Sequence, residues 1–224
     1  MKITILTLFP KMISGFIDES IIKRAVGKKL VELEIVNIRD FAIDKYGTVD
    51  DRPYGGGAGM VMRVDVVDRA LEKVKTGKSK VILTTPKGKT YDQKKAMEYS
   101  RENHLVIIAG HYEGVDERVL EQVDEEISIG DFVMTGGEIA AAAIADSVIR
   151  LIPGVLKKEE ATINETFNIG GKKLLEYPQY TRPEEYKGKR VPEVLIGGNH
   201  KDINQWRMEK AIEETRKKRP DLLA

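Results

Sequence analysis

The sequence predicts an α/β protein built on a mostly parallel sheet, and three observations predict it. Short apolar runs alternate along the chain with segments of helical period, the pattern of strands joined by crossover helices. The run HLVIIA at 104–109 is apolar almost throughout, as a strand buried on both faces must be. Three of the expected strand ends lead straight into glycine-bearing loops: LTTPKG at 83–88, AGHYEGVDER at 109–118 and SIGDFVMTGGE at 128–138.

The elements follow in order. Residues 3–9 are apolar-rich, end at Phe9-Pro10 and read as a buried strand. In 12–28, Met12, Phe16, Ile17 and Ile21 recur at helical spacing and predict a helix. In 31–38, apolar residues alternate against Glu32, Glu34 and Asn37, which predicts a second strand. A glycine-rich loop comes next, followed by a helix at 65–75, a strand at 80–84, a helix at 92–102 and the strand at 104–109. A short helix at 115–123 and a strand at 126–129 precede an alanine-rich helix at 138–151. After Pro153-Gly154 the apolar period fades into KKEEATINETFNIGGKK. The expected division is therefore a first domain over 1–153, a linker over 154–171 and a small, mainly helical domain over 172–224 ending in a helix at 202–218.

Composition removes several classes. At 224 residues the chain can bury a real core. It has no cysteine, which excludes disulfides, thiolate zinc sites and cysteine nucleophiles. Charged residues make up 33%, yet the net charge is +1, so global charge points to no class of partner. The N-terminal apolar run is too short for a secretion signal, and no run approaches the ~20 apolar residues that span a bilayer. The expectation is a soluble, cytoplasmic protein.

The stretch DRPYGGGAGM at 51–60 concentrates four glycines, which is locally costly in entropy and raises the question of a phosphate cradle. No GxxxxGK[ST] exists, and no loop is a GxGxxG followed by an acid at ribose-binding spacing. Lys87 and Lys89 flank only the first strand-end loop. Ligands of open α/β sheets sit beyond the carboxyl ends of strands. With apolar walls from Leu83, Ile129, Phe132 and Met134, the three loops fit a nucleoside without phosphate better than a triphosphate.

The blocks TVDDRPYGGGAGM, GHYEGVDERV, SIGDFVMTGGE, DSVIRLIPGVL, YPQYTRPEEY and VPEVLIGGNH occur in this order. Together they resemble the signature blocks of bacterial tRNA (guanine-N1)-methyltransferases, S-adenosylmethionine enzymes of the SPOUT class. The resemblance covers nearly the whole chain. It implies a deep trefoil knot that no reading of periodicity could supply, since connection rules make knots rare. It also implies methyl transfer from S-adenosyl-L-methionine to N1 of the guanine immediately 3′ of the anticodon, by a homodimer whose sites form across subunits. Magnesium is implied too, shared with substrate, because no closed cage of ligands is visible.

Matched by motif, Thr84, Thr85 and Pro86 belong to the first cofactor loop, and Gly110, Tyr112 and Glu113 to the second. Ile129, Gly130, Asp131, Phe132, Val133 and Met134, with Gly136 and Gly137, belong to the third. For Glu113, Asp116 and Glu117 a solvated helix start, favoured by the dipole, stands as the alternative. The glycine-rich loop falls on the guanine side, with Asp50, Arg52 and Tyr54 shaping and reading that pocket, so the phosphate cradle is not its role.

From Lys172 onward the chain carries 13 Lys/Arg against 9 Asp/Glu, interleaved with Tyr177, Tyr180, Tyr186 and Trp206. Such a mixture suits phosphate contacts and base stacking, although a surplus of four alone describes many solvated surfaces. The resemblance tips the reading toward tRNA. It also implies two catalytic groups, an Arg matched by Arg150 and a linker Asp matched by Glu165. The family pattern Asp-Ser-Phe is here Glu165-Thr166-Phe167, a carboxylate one methylene longer. That departure leaves a second reading open, an RNA-binding protein of the SPOUT fold with impaired catalysis.

Overall fold

The computed structural model describes residues 1–157 and 164–223. The chain divides into two compact units, Met1–Lys157 and Lys158–Ala224.

The first unit is built on β1 (Lys2–Thr7), β2 (Glu32–Asn37), β5 (Ser79–Thr90), β6 (His104–Ala109) and β7 (Glu125–Ser128). They pair in the order β2-β1-β6-β5-β7, and every pairing is parallel. Helices cover both faces. On one side lie α1 (Lys11–Ile17), α2 (Ser20–Gly27), α4 (Gln93–Tyr99) and α5 (Glu138–Ile149), which pack Ile13, Ile22, Tyr99 and Ile144 against Ile5, Leu105 and Ile107. On the other, α3 (Val64–Val74) packs Val67 and Leu71 against Leu6, Val106 and Ile108. Successive residues of β6 thus point into opposite cores, which is why that strand is apolar at every position but its first. Each such fully buried Leu or Ile contributes about 1.5–3 kcal/mol.

Three elements differ from the sequence expectation. The helix expected over 12–28 is two helices, because the apolar spacing runs on through Asp18, Glu19 and Ser20 while Ser20 adopts φ 50°, a left-handed conformation that no α-helix continues. The strand expected to stop at 84 continues to Thr90. Thr84 and Lys89 both pair with Ile127, so residues 85–88 leave the ladder as a bulge and return. Gly88 is required there, since a Cβ would stand 2.5 Å from the Glu126 carbonyl carbon. Finally, the short helix expected at 115–123 is a 3₁₀ helix, Glu117–Gln122. Two short strands, β3 (Asp50–Asp51) and β4 (Val61–Met62), pair antiparallel and bracket the glycine-rich loop.

The second unit contains a small hairpin, β8 (Glu185–Tyr186) with β9 (Lys189–Arg190), then α6 (Glu193–Ile196) and the long α7 (His200–Lys218). Its core is small: Ile169 and Leu174 pack on Ala211, with Met208 and Ile212 beside them. Residues 164–174 form hydrogen-bonded turns. The Phe167 amide donates to the Leu174 carbonyl at 2.7 Å, and the Asn168 amide to the Glu165 carbonyl at 2.8 Å. Among the described residues, no helix is long and apolar enough to cross a membrane.

Candidate functional site

The strands β6, β5 and β7 are neighbours, so the loops leaving their carboxyl ends converge. They enclose a cavity of about 260 Å³. The loops are locked to one another by backbone and by buried side chains. The Gly137 amide donates to the Gly110 carbonyl at 2.6 Å, and His111 and Gly136 form an isolated antiparallel bridge. Thr84, 5% exposed, donates its hydroxyl to the Ile108 carbonyl at 3.1 Å. A side chain at Gly137 would collide with that hydroxyl, so only glycine lets the second and third loops close on the first.

The middle loop holds a strained residue. Tyr112 has φ 59°, in the left-handed region that costs a bulky residue of order 1–3 kcal/mol, and the Gly114 amide closes the turn on the His111 carbonyl at 3.0 Å. The glycine-rich loop is tied to the same place. The Glu113 amide donates to the Met60 carbonyl at 3.0 Å and the Met62 amide to the Gly114 carbonyl at 2.9 Å. Gly59 faces the Glu113 side chain so closely that a Cβ would overlap it. Four glycines of this loop, Gly55, Gly56, Gly57 and Gly59, have positive φ.

The charge of the cavity wall is acidic. Lys87 stands against Glu113, Glu117 and Glu126, with His111 beside them. Such a wall fits a cationic ligand and opposes a polyphosphate. Just outside the lining, the Arg118 guanidinium beside Asp116 holds that carboxyl below the usual carboxylate range, with Nε and Nη2 each 2.8 Å from it. Among the described residues no group of three or more His, Asp or Glu side chains gathers to hold a metal.

A model of the family described as tRNA (guanine-1)-methyltransferase TrmD matches residues 1–224. The chain belongs to this family. It is 54% identical over 223 residues to a tRNA (guanine-N(1)-)-methyltransferase of Clostridium botulinum (strain Eklund 17B / Type B), covering 99% of this chain and 92% of the relative. It is 54% identical over 226 residues to one from Geotalea uraniireducens (strain Rf4), covering 100% and 90%. A third, from Mycoplasmopsis synoviae (strain 53), is 52% identical over 223 residues, covering 100% and 97%. The parallel α/β sheet of the first unit is the SPOUT-class fold of the TrmD family.

The cavity is lined by every cofactor position matched from the family pattern, from Thr84 to Gly137, with the exception of Asp131. Asp131 is an exposed residue of the same third loop. His111 also lines the cavity, and Glu138, wholly buried, lies behind it. Sequence reasoning passed over both, although they sit inside the quoted motifs. No local spacing signals their contact, which joins residues 27 apart.

The remaining positions lie elsewhere. Asp50 is half-buried in β3, while Arg52 is exposed and its amide donates to Asp51 Oδ1 at 2.7 Å. Tyr54 stands fully in solvent. Arg150 caps the carboxyl end of α5, its amide donating to the Asp146 carbonyl at 3.1 Å. Glu165 belongs to the second unit, in the turn closed by Asn168. In that unit the Arg207 guanidinium lies 5.0 Å over the Tyr177 ring, and Tyr180 lies 6.3 Å from Trp206.

Proposed function

We propose that the protein transfers a methyl group from S-adenosyl-L-methionine to N1 of the guanine immediately 3′ of the anticodon in tRNA. One observation carries the reading: a glycine-lined, acidic-walled cavity at the carboxyl ends of β5, β6 and β7 in a chain of the TrmD family. An uncharged adenine read by backbone groups, joined to a cationic sulfur, suits such a wall. When bound there, S-adenosyl-L-methionine supplies an electrophilic methyl carbon.

The chain's own residues do the rest in this reading. Guanine N1 carries a proton and is a poor nucleophile until it leaves. Glu165 takes that proton as general base, and Arg150 stabilises the negative charge that grows on O6. Asp50, Arg52 and Tyr54 hold the guanine side of the pocket, where the positive-φ glycines allow close approach of the RNA backbone. Stacked Tyr177 and Arg207, with Tyr180 and Trp206, offer aromatic faces for unpaired bases. Magnesium would be held by substrate and water.

A homodimer of a knotted subunit completes the proposal, with each site drawing residues from two copies. Exposed Phe9, Met12, Phe132, Val133 and Ile139 support it, because these apolar side chains lie at the starts of α1 and α5 and in the third loop. A protein acting on tRNA belongs in the cytoplasm. Sedimentation showing only a 25.2 kDa species with full activity would remove the dimer. The function itself is tested with S-adenosyl-L-methionine labelled in its methyl group and an unmodified tRNA transcript. Label should enter the RNA, and replacing the guanine 3′ of the anticodon by adenine should abolish it.

A further inference from the structure

Glu138 opens α5 and is completely buried. Its carboxylate has two partners. Oε1 accepts the Thr7 hydroxyl at 3.1 Å, and Oε2 lies 3.4 Å from His111 Nδ1. The Thr7 oxygen is itself used, accepting the Phe9 amide at 2.9 Å. His111 is held between the Phe9 ring at 4.6 Å and the edge of Tyr112 at 4.9 Å, and its side chain is 17% exposed. His111 thus lines the cavity while its Nδ1 edge meets a buried carboxyl group. A Cβ on Gly136 would strike both His111 and Glu138, so the third loop is fitted over the pair. A buried acid with one ionisable neighbour is costly, and a hydrophobic residue would fill the site at less expense.

We infer that the His111–Glu138 pair determines specificity for the charge of the ligand's sulfur, favouring the cationic methyl donor over its neutral thioether product when the imidazole is neutral. Adding one proton to the imidazole raises the charge of the wall by one. Donor and product carry the same amino acid and adenosine, and they differ in the methyl group and the charge of the sulfur. The other charged groups on the wall are Lys87, Glu113, Glu117 and Glu126, and the Tyr112 hydroxyl is nearby. Histidine is the side-chain type that ordinarily titrates between pH 5 and 8. At about 10 Å and an effective dielectric of about 20, one unit of charge changes relative affinity by about 15-fold.

The inference rests on the cofactor assignment above, and calorimetry separates the two. S-adenosyl-L-methionine and S-adenosyl-L-homocysteine are each titrated into the full-length protein from pH 5.5 to 8.5. The preference for the cation should rise about 15-fold with pH. It should be independent of pH in His111→Gln, and in Glu138→Gln it should be lowered at high pH. A natural protein whose preference ignores pH, or a His111→Gln variant that keeps the same dependence, overturns the inference. Equal loss of both ligands at every pH in the variants, tracking a lower melting temperature, also overturns it in favour of a purely structural pair. Should Glu138→Gln not fold, the His111→Gln series decides alone. Binding of neither ligand by the natural protein would remove the cofactor assignment, and this inference with it.

Discussion

The Gly137 amide lies 2.6 Å from the Gly110 carbonyl, so the second and third strand-end loops are joined back to back at the floor of the cavity. The contact is short because neither residue has a side chain. At Gly137 a Cβ would meet the Thr84 hydroxyl and stand 2.9 Å from the Gly110 amide nitrogen. At Gly110 it would stand 3.3 Å from the Thr84 carbonyl oxygen, tight but tolerable.

These distances predict an ordered pair of effects. Gly137→Ala should destabilise the protein by about 1–3 kcal/mol through overpacking and weaken S-adenosyl-L-methionine binding at least ~10-fold. Gly110→Ala should cost markedly less of both, whereas Gly110→Val extends its branches into the cavity and should abolish binding with the fold intact. Thermal melts and calorimetry read the two quantities. Equal affinities in Gly137→Ala and the natural protein would contradict this account of the loops.

At the opposite ends of the strands, His104 predicts a pH dependence of stability. Its Nε2 lies 2.9 Å from Thr4 Oγ1 and its Nδ1 2.8 Å from Ser79 Oγ, inside the sheet. Burial first, and then the Lys2 ammonium, lower its pKa from the ordinary 6.5. The folded state therefore binds this proton less readily than the unfolded chain. The contribution is fully present above about pH 6.5 and is lost as pH falls toward the depressed value. Urea midpoints should fall with acidification more steeply in the natural protein than in His104→Gln. Parallel profiles would show that His104 is not the group responsible.

Much of this fold was legible, and what was hidden has physical causes. The strand at 104–109 matched to the residue because burial on both faces leaves an unambiguous apolar run. The second half of β5 was hidden because TPKGKT is polar, pairs only with β7 and begins with a bulge, so it shows no alternation. The break at Ser20 was hidden because apolar spacing carries no information about φ. The loops of the site were visible as glycine clusters at strand ends. The His111–Glu138 contact was not, because it is made by the juxtaposition of β6 and α5 rather than by any local pattern. Glu159 and Glu160, two further carboxylates of the polar stretch that contains Glu165, lie outside the described residues.

A division of labour between the units is the next prediction. Among the described residues, Met1–Lys157 builds two hydrophobic cores from its own side chains. A fragment ending at Lys157 should therefore unfold cooperatively and bind S-adenosyl-L-methionine, yet fail to methylate tRNA. Unimpaired tRNA affinity in the fragment, measured by filter binding, would reject the assignment of tRNA recognition to the second unit.

Glu165 predicts the clearest mutational signature. With Glu165 as the proposed general base, Glu165→Gln should keep cofactor and tRNA binding but lose methyl transfer by ~10²-fold or more under single-turnover conditions. Glu165→Asp should retain substantial activity, since it restores the residue of the family pattern, and Glu159→Gln and Glu160→Gln should change little. A fully active Glu165→Gln protein would take this carboxylate out of the mechanism. A natural protein inactive until Glu165→Asp is introduced would instead favour a fold with impaired catalysis.

The position of the transferred methyl group distinguishes methylation of guanine N1 from any other reaction. A tRNA transcript incubated with the protein and methyl-labelled S-adenosyl-L-methionine can be digested to nucleosides and separated by chromatography. All label should run as 1-methylguanosine, at one methyl group per tRNA, and map to the guanine next to the anticodon. Label in any other nucleoside, or none in the RNA despite bound cofactor, would contradict the proposed methyl transfer.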